Sequence, residues 1–114
     1  MEIINIGTDI EEVSRIARLN QKTLRRVFTE AELKYCAAMP YPARHLAARF
    51  AAKEAVFKAL PFDGLALKKI EVIKDKSGKP QVLVDDARAK KMGFKVSLSH
   101  SAKYATAFVI VYKL

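Results

Sequence analysis

An α+β domain, a mainly antiparallel sheet covered by one long helix, is predicted by three features of the sequence. The chain opens on a β-branched run, carries an Ala-rich stretch without Gly that ends at Pro61, and then alternates apolar and polar residues to its last residue. That order of strand, helices and further strands places the helices on one face of the sheet. There is no internal repeat, low-complexity tract or linker, so residues 1–114 read as a single domain.

Glu2 to Ile6 reads as a short buried strand ended by Gly7-Thr8-Asp9. An acidic residue there either meets a cation or caps the next helix. From Ile10 to Phe28 the spacing of Val13, Ile16, Ala17, Leu19, Leu24 and Val27 is helical. Arg15, Arg18, Lys22, Arg25 and Arg26 stand among them with no acid after Glu12, more positive charge than solubility requires. This face is expected to dock an acidic partner. Thr29 and Glu32 have the spacing of a capping box, which starts a further helix running to about Ala38, before Pro40 and Pro42.

The long helix is predicted over Arg44 to Leu60, RHLAARFAAKEAVFKAL. On a wheel of about 100° per residue, Leu46, Phe50, Phe57 and Leu60 share the stripe expected to be buried, with Lys53 in its middle and Glu54 at its edge beside Lys58. Charge on an apolar stripe costs desolvation energy, so these groups need a use beyond packing. After Pro61, Ile70 to Lys74 and Gln81 to Val84 flank Asp75-Lys76-Ser77-Gly78-Lys79-Pro80, the pattern of a β-hairpin. Asp85 to Met92 reads as a short helical connection closed by Gly93. Phe94, Val96 and Leu98 alternate in a strand that turns through Ser99-His100-Ser101-Ala102-Lys103 into an apolar strand from Tyr104 to Tyr112. Tyr104, Phe108 and Tyr112 are expected in the core. Cys36 is expected to be a buried small hydrophobe, and His45 falls on the polar side of the long helix with no role.

The formal charge of +9 points to anionic partners without saying which. No run is long enough to span a bilayer, the opening MEIINIGTDI lacks the features of a secretory signal, and the single cysteine excludes an intramolecular disulfide. A cytoplasmic protein is expected. Asp9 and Glu54 together suit a hard divalent cation such as Mg²⁺, which takes one or two carboxylates and completes its shell with water and phosphate oxygens. Lys53, Lys58 and Arg49 would neutralise those phosphates, and Lys79 with Ser99-His100-Ser101 lies in loops able to reach the same ligand. The constellation implies metal-assisted transfer of a phosphate-linked group.

The opening IGTDIEEVSRI, the helix RFAAKEAVFKAL, the loop KDKSGKP and the strand-turn VSLSHSAKYATAFV together resemble the holo-acyl-carrier-protein synthases, the small bacterial 4′-phosphopantetheinyl transferases. One departure is Leu60-Pro61-Phe62-Asp63-Gly64, where relatives often carry a Gly-rich turn. The resemblance implies transfer of the phosphopantetheine arm of coenzyme A to a serine of apo-acyl carrier protein, giving holo-acyl carrier protein for fatty acid biosynthesis and releasing adenosine 3′,5′-bisphosphate. On matching positions it implies Asp9 and Glu54 as Mg²⁺ ligands, with Lys58 on the same phosphates. Glu54, directly or through a metal-bound water, takes the serine proton. It also implies Arg49, Lys53, Lys58, Lys79, Pro80, His100 and Ser101 as the coenzyme A pocket, with His100 contacting the nucleotide rather than serving as base. Arg15, Arg18, Arg25 and Arg26 would receive the acidic helix of acyl carrier protein, and the short members look like homotrimers with active sites between subunits. The alternative is a basic nucleic-acid-binding α+β module, but the basic residues lack aromatic interleaving and no GxxG loop is present.

Overall fold

The first strand, β1, runs from Glu2 to Glu12, well past the Gly7-Thr8-Asp9 expected to end it. The computed structural model describes all residues from Met1 to Leu114. Four helices follow, α1 (Val13–Ala17), α2 (Gln21–Val27), α3 (Glu30–Ala37) and α4 (Pro42–Ala59), then the strands β2 (Ile70–Lys74), β3 (Pro80–Val84), β4 (Met92–His100) and β5 (Tyr104–Lys113). The strands form two antiparallel sheets, a three-stranded one in the order β1-β5-β4 and the separate hairpin β2-β3.

Pairing with β5 extends β1 and overturns the helix expected from Ile10. Partners run from Glu2 opposite Lys113 to Glu12 opposite Tyr104, so residues 10–12 gain ladder hydrogen bonds that outweigh their helical spacing. Asp9 therefore sits within a strand and caps nothing. The remaining helical segment breaks in two at Arg18–Asn20, where the Asn20 side chain accepts from Thr23 N–H and starts α2. The capping box at Thr29 and Glu32 starts α3 as expected.

The helix α4 opens at Pro42, whose missing N–H costs nothing in a first turn. Its buried side is built largely of small residues, Ala47, Ala51, Ala52, Ala55, Val56 and Ala59. The expected aromatic stripe is only partly inside: Leu46 and Phe50 are half-buried and Phe57 is exposed. Alanines let the helix lie close to the sheet, and Gly7 completes the fit, because a Cβ there would stand 2.1 Å from the Ala55 carbonyl oxygen. Gly93 lies inside β4 rather than closing a helix, and its missing side chain makes room for the Tyr112 ring. The link before β4 is a 3-10 turn over Ala87–Ala89. On β5 the core face is Ala105, Ala107, Val109 and Val111; Tyr104 and Phe108, expected in the core, point to the open face.

Lys53 is fully buried. Its Nζ lies 2.7 Å from Glu32 Oε1 and donates to the carbonyls of Leu67 and Ile70. The other Glu32 oxygen accepts from Val72 N–H at 2.9 Å, and Oε1 also accepts from Thr29 N–H. Burial pulls the Lys53 pKa down and the Glu32 carboxylate opposes that pull. The pair ties α3, α4 and β2 together, and Lys53 is thereby removed from any ligand pocket of this chain. Lys53→Met should cost about 3–5 kcal/mol, because it leaves a buried carboxylate without its cation. The check is the urea midpoint; a loss below about 1 kcal/mol would contradict this role.

Candidate active site

Asp9 points from β1 toward α4, where Lys58 Nζ meets its Oδ1 at 2.9 Å and also donates to the Thr8 carbonyl at 3.2 Å. The Asp9 carboxylate, followed by Glu54, raises the pKa of the Lys58 ammonium. Asp9 and Glu54, remote in sequence, therefore act on one small region. Asp9 Oδ2 is buried and has no hydrogen-bond partner.

A third carboxylate, missed in the sequence, belongs here. Glu11 is two residues along the same face of β1 and is buried. Desolvation, then the neighbouring Asp9 and Glu54 carboxylates, push its pKa up to about 7, against the lowering effect of Arg15 at 3.5 Å. Alternation in a strand puts residues 9 and 11 side by side, a signal hidden once Ile10 is read as the start of a helix. Asp9 and Glu11 are close enough to share a proton, and these hard oxygen donors fit a divalent cation that would take that proton's place and bring phosphate oxygens with it. No three His, Cys, Asp or Glu side chains form a closed cage of their own.

The second group of predicted residues lies elsewhere. A cleft of about 730 Å³ opens between the N-terminal half of α4, the β2-β3 hairpin and β4. Arg49, Lys79, Pro80 and His100 line it. Arg49 is buried with its guanidinium 4.3 Å above the Tyr35 ring, and its Nε has no acceptor. Lys79 and Pro80 are presented by a turn that Asp75 folds, its Oδ1 accepting from Ser77 N–H, Ser77 Oγ and Lys79 N–H at 2.8, 2.6 and 3.0 Å. The Ser77 hydroxyl leads in holding the Asp75 carboxyl below the usual range. Gly78 supplies the positive φ of 84° in that turn. The cleft also takes in His45, Lys74 and Tyr112, none of which was expected to meet a ligand.

Lys53, Lys58 and Ser101 do not line this cleft. Ser101 Oγ instead accepts from Lys103 and Tyr104 N–H, each at 3.3 Å, and holds the β4-β5 turn. One copy of the chain thus divides the expected site in two. From Arg49 to Glu54 is about 140° around the axis of α4, and Asp9 lies on β1 while the cleft borders β4, with β5 between them. Arg15, Arg18, Arg25 and Arg26 are all exposed on α1, α2 and the link between them.

A profile described as the 4′-phosphopantetheinyl transferase superfamily matches residues 5–109. The chain belongs to this superfamily. The holo-[acyl-carrier-protein] synthase of Chlamydia pneumoniae is 47% identical over 96% of this chain and 98% of its own length. That of Thermodesulfovibrio yellowstonii is 43% identical over 96% and 98%. The crystal structure of a holo-(acyl-carrier-protein) synthase from Bacillus anthracis in complex with CoA (3′,5′-ADP) superposes with a TM-score of 0.87, at 32% identity and full coverage of both chains. Membership of a transferase superfamily favours the transferase reading over the nucleic-acid alternative. No helix is long and apolar enough to cross a membrane.

The raised pKa of Glu11 makes a stability prediction. Between its ordinary value of 4.5 and about 7 the folded protein keeps a proton that the unfolded chain sheds, so stability falls as pH rises through that window. In buffer with a chelator, Glu11→Gln should change little at pH 4.5 and raise stability by roughly 2–3 kcal/mol above pH 7. Urea midpoints at the two pH values check this; parallel pH dependence in both proteins would contradict it.

Proposed function

We propose that this chain transfers the 4′-phosphopantetheine group of coenzyme A to a serine hydroxyl of apo-acyl carrier protein. The observation that carries the reading is the meeting of Asp9, Glu54 and Lys58 across β1 and α4, in a chain that also holds a basic cleft. In the reaction the serine oxygen attacks the phosphorus that carries the pantetheine arm. A new P–O bond forms, the bond to the bridging oxygen breaks, and adenosine 3′,5′-bisphosphate leaves with the electron pair. Glu54, a half-buried carboxylate, would take the serine proton, and Lys58, exposed and cationic, would attract the diphosphate. Asp9 and Glu54 would hold Mg²⁺, whose charge offsets the one building on the leaving group. Arg49, Lys79, Pro80 and His100 would receive the nucleotide end in the cleft.

The division of the site argues for assembly. A homotrimer in which the cleft of one copy faces the Asp9-Glu54-Lys58 group of its neighbour reunites what a single copy separates. The open face of the three-stranded sheet offers a surface for it, with Ile6, Ile10, Tyr104 and Phe108 exposed. The exposed arginines Arg15, Arg18, Arg25 and Arg26 would steer the acidic carrier protein toward the carboxylates, since Arg15 already reaches Glu11.

Mass spectrometry of an apo-acyl carrier protein incubated with this protein, coenzyme A and Mg²⁺ tests the reading. The carrier should gain the mass of the phosphopantetheine arm, at a rate that falls with added salt and is lost with a chelator or in Asp9→Ala. An unmodified carrier would overturn the transferase assignment, and full rate in Asp9→Ala would overturn the role of the carboxylates.

A further inference from the structure

The only two histidines of the chain, His45 on α4 and His100 at the end of β4, meet on the wall of the cleft with ring centroids 4.9 Å apart, edge toward face at 65°. Two groups this close can each take a proton, but a second charge beside the first is opposed by their mutual repulsion. The charged groups lining the cleft around them are Arg49 on α4, Lys74 and Asp75 at the end of the hairpin's first strand, Lys79 before β3 and Lys95 on β4. Four cations stand against the single Asp75 carboxylate, whose oxygen is held by its own turn, so the field at the imidazoles is cationic. Burial, followed by His100, Arg49 and Lys74, holds the His45 pKa below its ordinary value, with the Pro40 carbonyl acting in the other direction. The buried Arg49, whose Nε has no acceptor, lines the same cleft.

We propose that His45 and His100 act as one proton-accepting pair, so that a phosphate-bearing ligand enters the cleft together with a proton, and that His45 is the positioning residue that sets this coupling. The identity of the ligand rests on the coenzyme A reading above. The cations that disfavour a proton on the pair are offset once a phosphate dianion lies among them, and the anion then attracts the proton directly. Binding raises the proton affinity of the pair. Ligand affinity is therefore gained as pH falls through the window between the free and bound values and lost as pH rises through the bound value, by at most about tenfold per pH unit for one proton. The ligand's own phosphate, with a second ionisation near pH 6, works in the opposite sense. Comparison between protein variants with the same ligand removes that contribution.

Because the chain has no other histidine, its imidazole Hε1 NMR resonances report this pair alone. Titrated with and without coenzyme A, their midpoints should move upward on binding. Calorimetry at about pH 7, in buffers of different ionisation enthalpy, should read a net proton uptake that is larger in the wild type than in His45→Phe. Phenylalanine keeps a ring against His100 but takes no proton, so a packing role alone would leave the uptake unchanged. Coenzyme A binding with unmoved imidazole midpoints, or with equal proton uptake in both proteins, would overturn this proposal and leave the coenzyme A reading standing. No binding heat at any pH, with no NMR shift, would overturn both.

Discussion

The meeting of Asp9, Glu54 and Lys58 follows from how closely β1 lies against α4. Gly7 has no Cβ because one would fall 2.1 Å from the Ala55 carbonyl oxygen, and the facing side of the helix is alanine for most of its length. Small residues give up side-chain burial for approach of the two backbones. The return is that Asp9, one pleat beyond Gly7 on the same face, reaches Lys58 one turn after Glu54. A strand hydrogen-bonded along its length to β5 and a helix packed against it hold the carboxylates more firmly than loops would.

The same helix serves three directions. One side carries Glu54 and Lys58 toward β1, a second carries His45 and Arg49 toward the cleft, and Lys53 goes inward to Glu32. That inner ion pair is isolated from solvent and has all its polar atoms in use, so its effect is to fix which way the other two sides face. Because both groups ride on one helix, about 140° apart from Arg49 to Glu54, they face different ways in one copy. Two half-sites facing apart are what a protein with sites between copies requires, and a lone chain with an exposed apolar sheet face has reason to associate.

Much of this was legible in the sequence, for identifiable reasons. The long helix, its stop at Pro61, the capping box at Thr29, and the β2-β3 hairpin depend on local propensity and turn chemistry, and all stand in the structure. Asp9 and Glu54 were read as a pair because the first strand and the long helix were expected to pack together, and the resemblance of their motifs implied the same pair. What local pattern misread was settled by contacts remote in sequence. Residues 10–12 pair with β5, Gly93 accommodates Tyr112, and Lys53 finds Glu32 on another helix. Glu11 went unnoticed because a helical period hides a neighbour that a strand places on the same face. His45 was given no role because its partner, His100, arrives from the far end of the chain.

One chain carries Asp9, Glu54 and Lys58 on one side of α4 and the basic cleft on another, and the proposed assembly would join the two between neighbouring copies. Co-refolding equal amounts of Glu54→Ala and Arg49→Ala proteins, each inactive alone, and measuring phosphopantetheine transfer by mass spectrometry tests it most directly. Random mixing leaves about a quarter of the interfaces with both halves intact, so transfer should return to about that fraction of the wild-type rate. A mixture as inactive as either variant alone would contradict the account.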